Sequence, residues 1–148
     1  MDSSWREGRR EGILALLTWS SKYSVSVQAL DDQHRRLIGI LNELHAAMLK
    51  GQAQRVAGPL LDSLLSYTRD HFSTEERMMS EAGFPGLAEH RAKHQELAGQ
   101  VGDYVIRYRK GDNTIYLQLL IFLRDWLANH IQKEDQEYGP CLNAHGMR

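Results

Sequence analysis

The chain has 148 residues, 42% hydrophobic and 25% charged, which is enough to bury one sizeable core and form one compact domain. Its 18 Lys and Arg against 19 Asp and Glu leave a formal charge of -1, which gives no electrostatic reason to bind nucleic acid or an anionic membrane surface. A single cysteine, Cys141, rules out an internal disulfide or a cysteine zinc clip, so any metal must use carboxylates and the seven histidines.

Residues 1–15 balance Arg6, Arg9 and Arg10 with Asp2, Glu7 and Glu11, and read as an N-terminal extension that need not be ordered, ahead of a domain at 16–148. No apolar run reaches the roughly 18 residues of a membrane-spanning helix, and the run at 13–17 is too brief for a secretory signal. The expectation is a cytoplasmic protein with no membrane insertion. Trp19 to Leu30 alternates at Tyr23, Val25 and Val27 but has no partner strand in view, and is expected to pack as an arm.

Asp31 and Asp32 are a candidate cap for a first helix near 32–50, in which Leu37, Leu41, Leu44 and Met48 repeat at helical spacing up to Gly51. A second helix, from about 54 to 81, carries Leu61, Leu64, Leu65, Phe72, Met78 and Met79, with Gly83 beyond its end. Leu87, Leu97, Val101 and Val105 define a third, near 86–110. Asp112, Asn113 and Thr114 offer a cap for a fourth, whose stripe from Ile115 to Ile131 runs out before Gly139 and Pro140. Short turns between long helices imply an all-α fold, an antiparallel up-down-up-down four-helix bundle with an N-terminal arm.

Polar residues set among the apolar stripes carry the chemistry. His71 and Glu75 are four apart, as are His90 and His94, while His130 precedes Asp135 by five and His34 opens the first helix. Counted from the turns, His34 lies 17 residues before Gly51 and His71 lies 17 after Gln54, and His94 and His130 match in the same way about the turn at 111–113. At a rise of roughly 1.5 Å per residue, all seven groups converge at one height, which core packing does not require. Burying five imidazoles and two carboxylates would cost several kcal/mol per uncompensated charge, which a metal centre offsets. The donor set suits iron or manganese of high coordination number, and two metals sharing the carboxylates is the economical arrangement. The Glu-x-x-His pairs of ferritin-like bundles are absent.

These motifs resemble the hemerythrin family over Trp19 to about Leu142: Trp19 with Tyr23-Ser24-Val25, Asp31-Asp32-Gln33-His34, His71-Phe72-Ser73-Thr74-Glu75-Glu76, His90-Arg91-Ala92-Lys93-His94, and Trp126-Leu127-Ala128-Asn129-His130 followed by Asp135. The resemblance implies two Fe ions with an oxo or hydroxo bridge, one held by His90, His94 and His130, the other by His34 and His71, with Glu75 and Asp135 bridging. It further implies one open position, on the iron of His34 and His71, where dioxygen binds reversibly. Resemblance and helical spacing together place an apolar oxygen pocket at Phe72, Trp126, Leu127 and Ile131, with Leu37 beside it. Ser26 and Leu97 depart from the common pattern, where glycine and an aromatic residue are frequent.

The implied function is storage, delivery or scavenging of dioxygen, with an oxygen-consuming enzyme as recipient and no enzymatic role beyond weak oxidase or peroxidase activity. The alternatives are an oxygen or redox sensor and a di-iron oxidase, peroxidase or nitric oxide reductase. Glu76 is expected to be solvated, His45 to be a packing or surface residue, and Cys141 a bystander thiol.

Overall fold

Four long helices in antiparallel succession form the bundle of the computed structural model, which describes residues 15–51, 53–112 and 114–148. Most of the expected extension, and Asn113 of the expected cap, lie outside the described residues. The helices are α1 (Gln28–Leu49), α2 (Ala53–Glu81), α3 (Leu87–Arg109) and α4 (Ile115–His130); a π turn (Ile131–Asp135) leads from α4 into α5 (Gln136–Ala144). No helix among the described residues is long and apolar enough to cross a membrane.

Two of the turns stop their helices in the same way. At the end of α2, Gly83 takes a φ of 66°, a left-handed conformation that favours glycine, while the Phe84 amide returns to the Met79 carbonyl at 2.9 Å. At the end of α3, Gly111 takes a φ of 97° and the Asp112 amide returns to the Arg107 carbonyl at 3.2 Å. Asp112 then accepts the Thr114 amide at 3.1 Å, an aspartate turn that launches α4.

Two expectations are corrected. The first helix begins at Gln28, so Asp31 and Asp32 do not cap it. Asp31 instead accepts the Ser24 hydroxyl at 2.6 Å and the Val25 amide at 2.8 Å, fastening the arm rather than the helix start. The fourth helix also does not end before Gly139 and Pro140. It winds through the π turn and continues in α5 past both residues, at the cost of the one backbone hydrogen bond that Pro140 cannot donate.

The arm packs as expected. Val25 and Val27 are buried with Leu30, Met79, Ala82, Tyr138 and Leu142 in one apolar cluster. A second and larger cluster fills the rest of the bundle around Leu41, Leu64, Leu97, Val101 and Leu119. Along α1, His34 lies between Leu30 of the first cluster and Leu37 of the second, so the polar layer is closed by apolar packing on both sides.

Candidate metal centre

Each helix delivers its polar residues to that layer. The four-residue spacing in α2 puts His71 and Glu75 on one face, and α3 does the same with His90 and His94. The spacing of five between His130 and Asp135 would leave them about 140° apart around a regular α-helix. The π turn, with its wider winding, returns the fifth residue to the same face. All seven side chains are at most 4% exposed.

Each carboxylate reaches both sides of the layer. Asp135 sets Oδ2 3.0 Å from His34 Nε2 and Oδ1 3.0 Å from both His90 Nε2 and His130 Nε2. Glu75 Oε1 contacts His71 Nε2 and lies 3.6 Å from His34 Nε2, while its Oε2 lies 3.4 Å from His90 Nε2. His94 closes the set, with its Nε2 3.2 Å from His130 Nε2. The donors form two overlapping groups, Glu75, His90, His94, His130 and Asp135, and His34, His71, Glu75 and Asp135. Within each group the donor atoms lie within 4.8 Å of one another.

These contacts do not satisfy the groups that make them. His34 Nε2, His90 Nε2 and all four oxygens of Glu75 and Asp135 are buried without a hydrogen-bond partner. Orphaned polar atoms of this density are costly unless a cation draws on their lone pairs, and five imidazoles with two carboxylates fit a pair of iron ions. Burial alone would lower the pKa of His34 and His90, but Asp135 and Glu75 beside them raise it to about 10 and about 9. Burial would raise Glu75, yet His71, His34 and His90 hold it well below the carboxylate range. His94 differs: burial lowers it to about 4, with Glu75 and Glu76 opposing only in part.

Outside the layer, three polar residues escaped the sequence reading. Glu76, expected to be solvated, is about one-fifth exposed, with Oε2 3.0 Å from His94 Nδ1 and Oε1 accepting from Arg91 Nε at 2.8 Å. It lies on α2 and its partners on α3, so no spacing within one helix could reveal the contact. Gln33 Oε1 lies 2.6 Å from His71 Nδ1, again between helices. Tyr138 is fully buried, its ring centroid 5.6 Å from that of His90, and burial with the nearby charges of Glu75 and Asp135 pushes its hydroxyl well above the usual pKa. Its position three residues after Asp135 was the available signal.

Aromatic rings cover the layer on the side of the larger cluster. Phe72 stacks on His94 with centroids 3.7 Å apart and planes 3° apart, and Trp126 stacks on His130 at 4.2 Å and 17°. Beyond them a cavity of about 480 Å³ runs between the helices, lined by Leu37, Phe72, Trp126 and Leu127 among other mostly apolar residues. None of the seven polar residues lines it. Ile131 is fully buried but does not line it either. It follows His130 directly, at the start of the π turn. His45 and Cys141 lie apart from the layer.

Comparison with known proteins agrees with this geometry. The hemerythrin HHE cation binding domain matches residues 25–142. A bacteriohemerythrin of Stenotrophomonas maltophilia is 38% identical over 132 residues, covering 89% of this chain and 85% of that protein. Another, of Methylococcus capsulatus, is 36% identical over 132 residues, covering 88% of this chain and all of that protein. The crystal structure of a wild-type hemerythrin superposes with a TM-score of 0.80 at 36% identity, covering 86% of this chain and 98% of that one. A domain match that runs from the arm to α5, relatives of this identity along most of their length, and two histidine groups sharing two carboxylates lead to one conclusion: the chain belongs to the hemerythrin family.

Proposed function

We propose that this chain binds dioxygen reversibly at a non-haem di-iron centre, as a carrier, store or scavenger of oxygen rather than an enzyme. Dioxygen binding is the function of the hemerythrin family, and its members hold a di-iron centre. In this reading His90, His94 and His130 would hold one iron and His34 and His71 the other, with Glu75 and Asp135 shared between the two groups. When bound, the iron pair supplies the two electrons that dioxygen takes up on binding and returns on release.

The remaining work falls to the chain. Three histidines on one side against two on the other leave the His34 and His71 side short of a ligand, which provides room for a small diatomic. Leu37, Phe72, Trp126 and Leu127 form an apolar wall towards the cavity. Such a wall admits an uncharged gas and keeps out water and proton donors, whose entry would turn binding into oxidation. Among the described residues no histidine or carboxylate lines the cavity to serve as a general acid, which favours a carrier over an oxidase or peroxidase. We place the carrier in the cytoplasm, serving an oxygen-consuming enzyme. The domain starts near residue 16, where Asn42 Oδ1 accepts the amides of Leu16 and Leu17 at 2.9 and 3.1 Å.

The observation that carries this reading is the sharing of Glu75 and Asp135 between a three-histidine and a two-histidine group. Its test is the visible spectrum of the iron-loaded, anaerobically reduced protein as oxygen is added and then removed by degassing. An oxygen-dependent charge-transfer band that returns over several cycles is the expected result. Prompt, irreversible oxidation would replace the carrier reading with that of a redox sensor or oxidase.

A further inference from the structure

The outer faces of the histidine rings are not equivalent on the two sides of the layer. On the three-histidine side, His94 Nδ1 donates to Glu76 Oε2 at 3.0 Å, and Arg91 Nε fixes the other oxygen of Glu76 at 2.8 Å. His130 Nδ1 stands 3.7 Å from Glu134 Oε2, and Lys93 Nζ donates to Glu134 Oε1 at 3.1 Å. On the two-histidine side, His71 Nδ1 donates to the neutral amide oxygen of Gln33 at 2.6 Å, while His34 Nδ1 is buried without a hydrogen-bond partner. Carboxylates therefore stand behind His94 and His130, one hydrogen-bonded and one at ion-pair distance, while an amide oxygen stands behind His71 and no hydrogen-bond partner behind His34.

We propose that Glu76 and Glu134 are positioning residues that bias the redox balance of the centre through His94 and His130. An imidazole whose outer N–H faces a carboxylate is a stronger electron donor through its inner nitrogen than one that faces an amide or nothing. The bias stabilises the oxidised state of the three-histidine position and leaves the two-histidine position the weaker-field partner. Arg91 and Lys93, both on α3, keep in place the two carboxylates that stand behind His94 and His130. The proposal rests on the reading that His94 and His130 ligate iron.

The test uses the isosteric variants Glu76→Gln and Glu134→Gln in the iron-loaded protein, which retain an acceptor and remove the charge. Spectroelectrochemical titration is expected to give a higher midpoint potential for each and the highest for the double variant, with iron lost to a chelator about ten-fold faster. Gln33→Glu, which places a charge behind His71, is expected to lower the potential. Wild-type potentials in both Gln variants, with helicity and iron content intact, would overturn the proposal, as would a rise in potential no larger than that of Gln33→Ala. If His94→Ala and His130→Ala each keep two irons, the ligand reading itself falls and this inference with it.

Discussion

His130 and Asp135 lie five residues apart in sequence, yet Nε2 of one and Oδ1 of the other are 3.0 Å apart, because a π turn separates them. A regular α-helix here would point Asp135 away from the layer and remove a carboxylate that touches both histidine groups. The π turn is therefore the local backbone feature on which the proposed bridging role depends.

Gln136 clasps that turn to the arm: its Nε2 donates to the Ser24 carbonyl at 2.9 Å and to the Ile131 carbonyl at 3.3 Å. Gln136→Ala is expected to lower stability by about 1 kcal/mol, the usual scale for a lost net hydrogen bond. Denaturant unfolding gives the change, and amide exchange at 131–135 should quicken. Unchanged exchange there would show that the turn holds without the clasp.

Ser26 sits in the arm with a φ of 62°, a conformation that costs a residue with a Cβ about 1–2 kcal/mol. Glycine adopts it freely but loses about 0.5–1 kcal/mol of unfolded-chain entropy. Ser26→Gly is therefore expected to stabilise the protein by up to about 1 kcal/mol, read as a higher denaturation midpoint at unchanged slope. The reverse holds at Gly139, where a Cβ would meet the Val25 carbonyl oxygen at 2.7 Å, and Gly139→Ala should destabilise by about 1–3 kcal/mol.

Leu127 lines the cavity, and in the proposed reading it belongs to the apolar wall of the oxygen pocket. Leu127→Ala enlarges the cavity and is expected to admit water and speed the oxidation of the reduced, iron-loaded protein in air. Stopped-flow decay of the oxygen-dependent band measures this. A decay rate equal to wild type would remove Leu127 from the pocket.

The metal-free protein should be most stable near pH 6.5. The pKa of His34 and His90 is raised in the fold from an ordinary 6.5 to about 10 and about 9, so their pairing with Asp135 and Glu75 stabilises fully below 6.5 and is lost as pH rises through those values. His94 is lowered to about 4, so the unfolded chain takes up its proton first and stability falls as pH drops from 6.5 towards 4. Glu75, held low, adds to the acid loss. Iron must displace the protons of His34 and His90, so loading should tighten with rising pH and carry the stability maximum upward. Thermal melts of chelator-treated and iron-loaded protein across pH 4–10 check both, and a flat metal-free profile between 6.5 and 10 would contradict the pairing.

Much of this was legible in the residues alone. The apolar stripes gave the four helices, and the four-residue intervals from His71 to Glu75 and from His90 to His94 put each pair on one face, because helical geometry fixes that relationship locally. Short turns then set the heights of His34, His71, His94 and His130, since a bundle with short connections has little freedom to slide. The family resemblance named the same seven residues.

The tertiary structure decided what depends on contact between elements. Asp31 reads as a helix cap until the arm is seen to fold back onto its carboxylate, and Glu76 reads as a solvated neighbour of Glu75 until α3 brings His94 and Arg91 against it. The interval from His130 to Asp135 was visible, but not the π turn that makes it productive, because a π turn has no residue signature and persists only where packing favours it. Sequence periodicity thus determined which side chains point inward, while the partners they meet were settled by the register of one helix against another, which no single segment encodes.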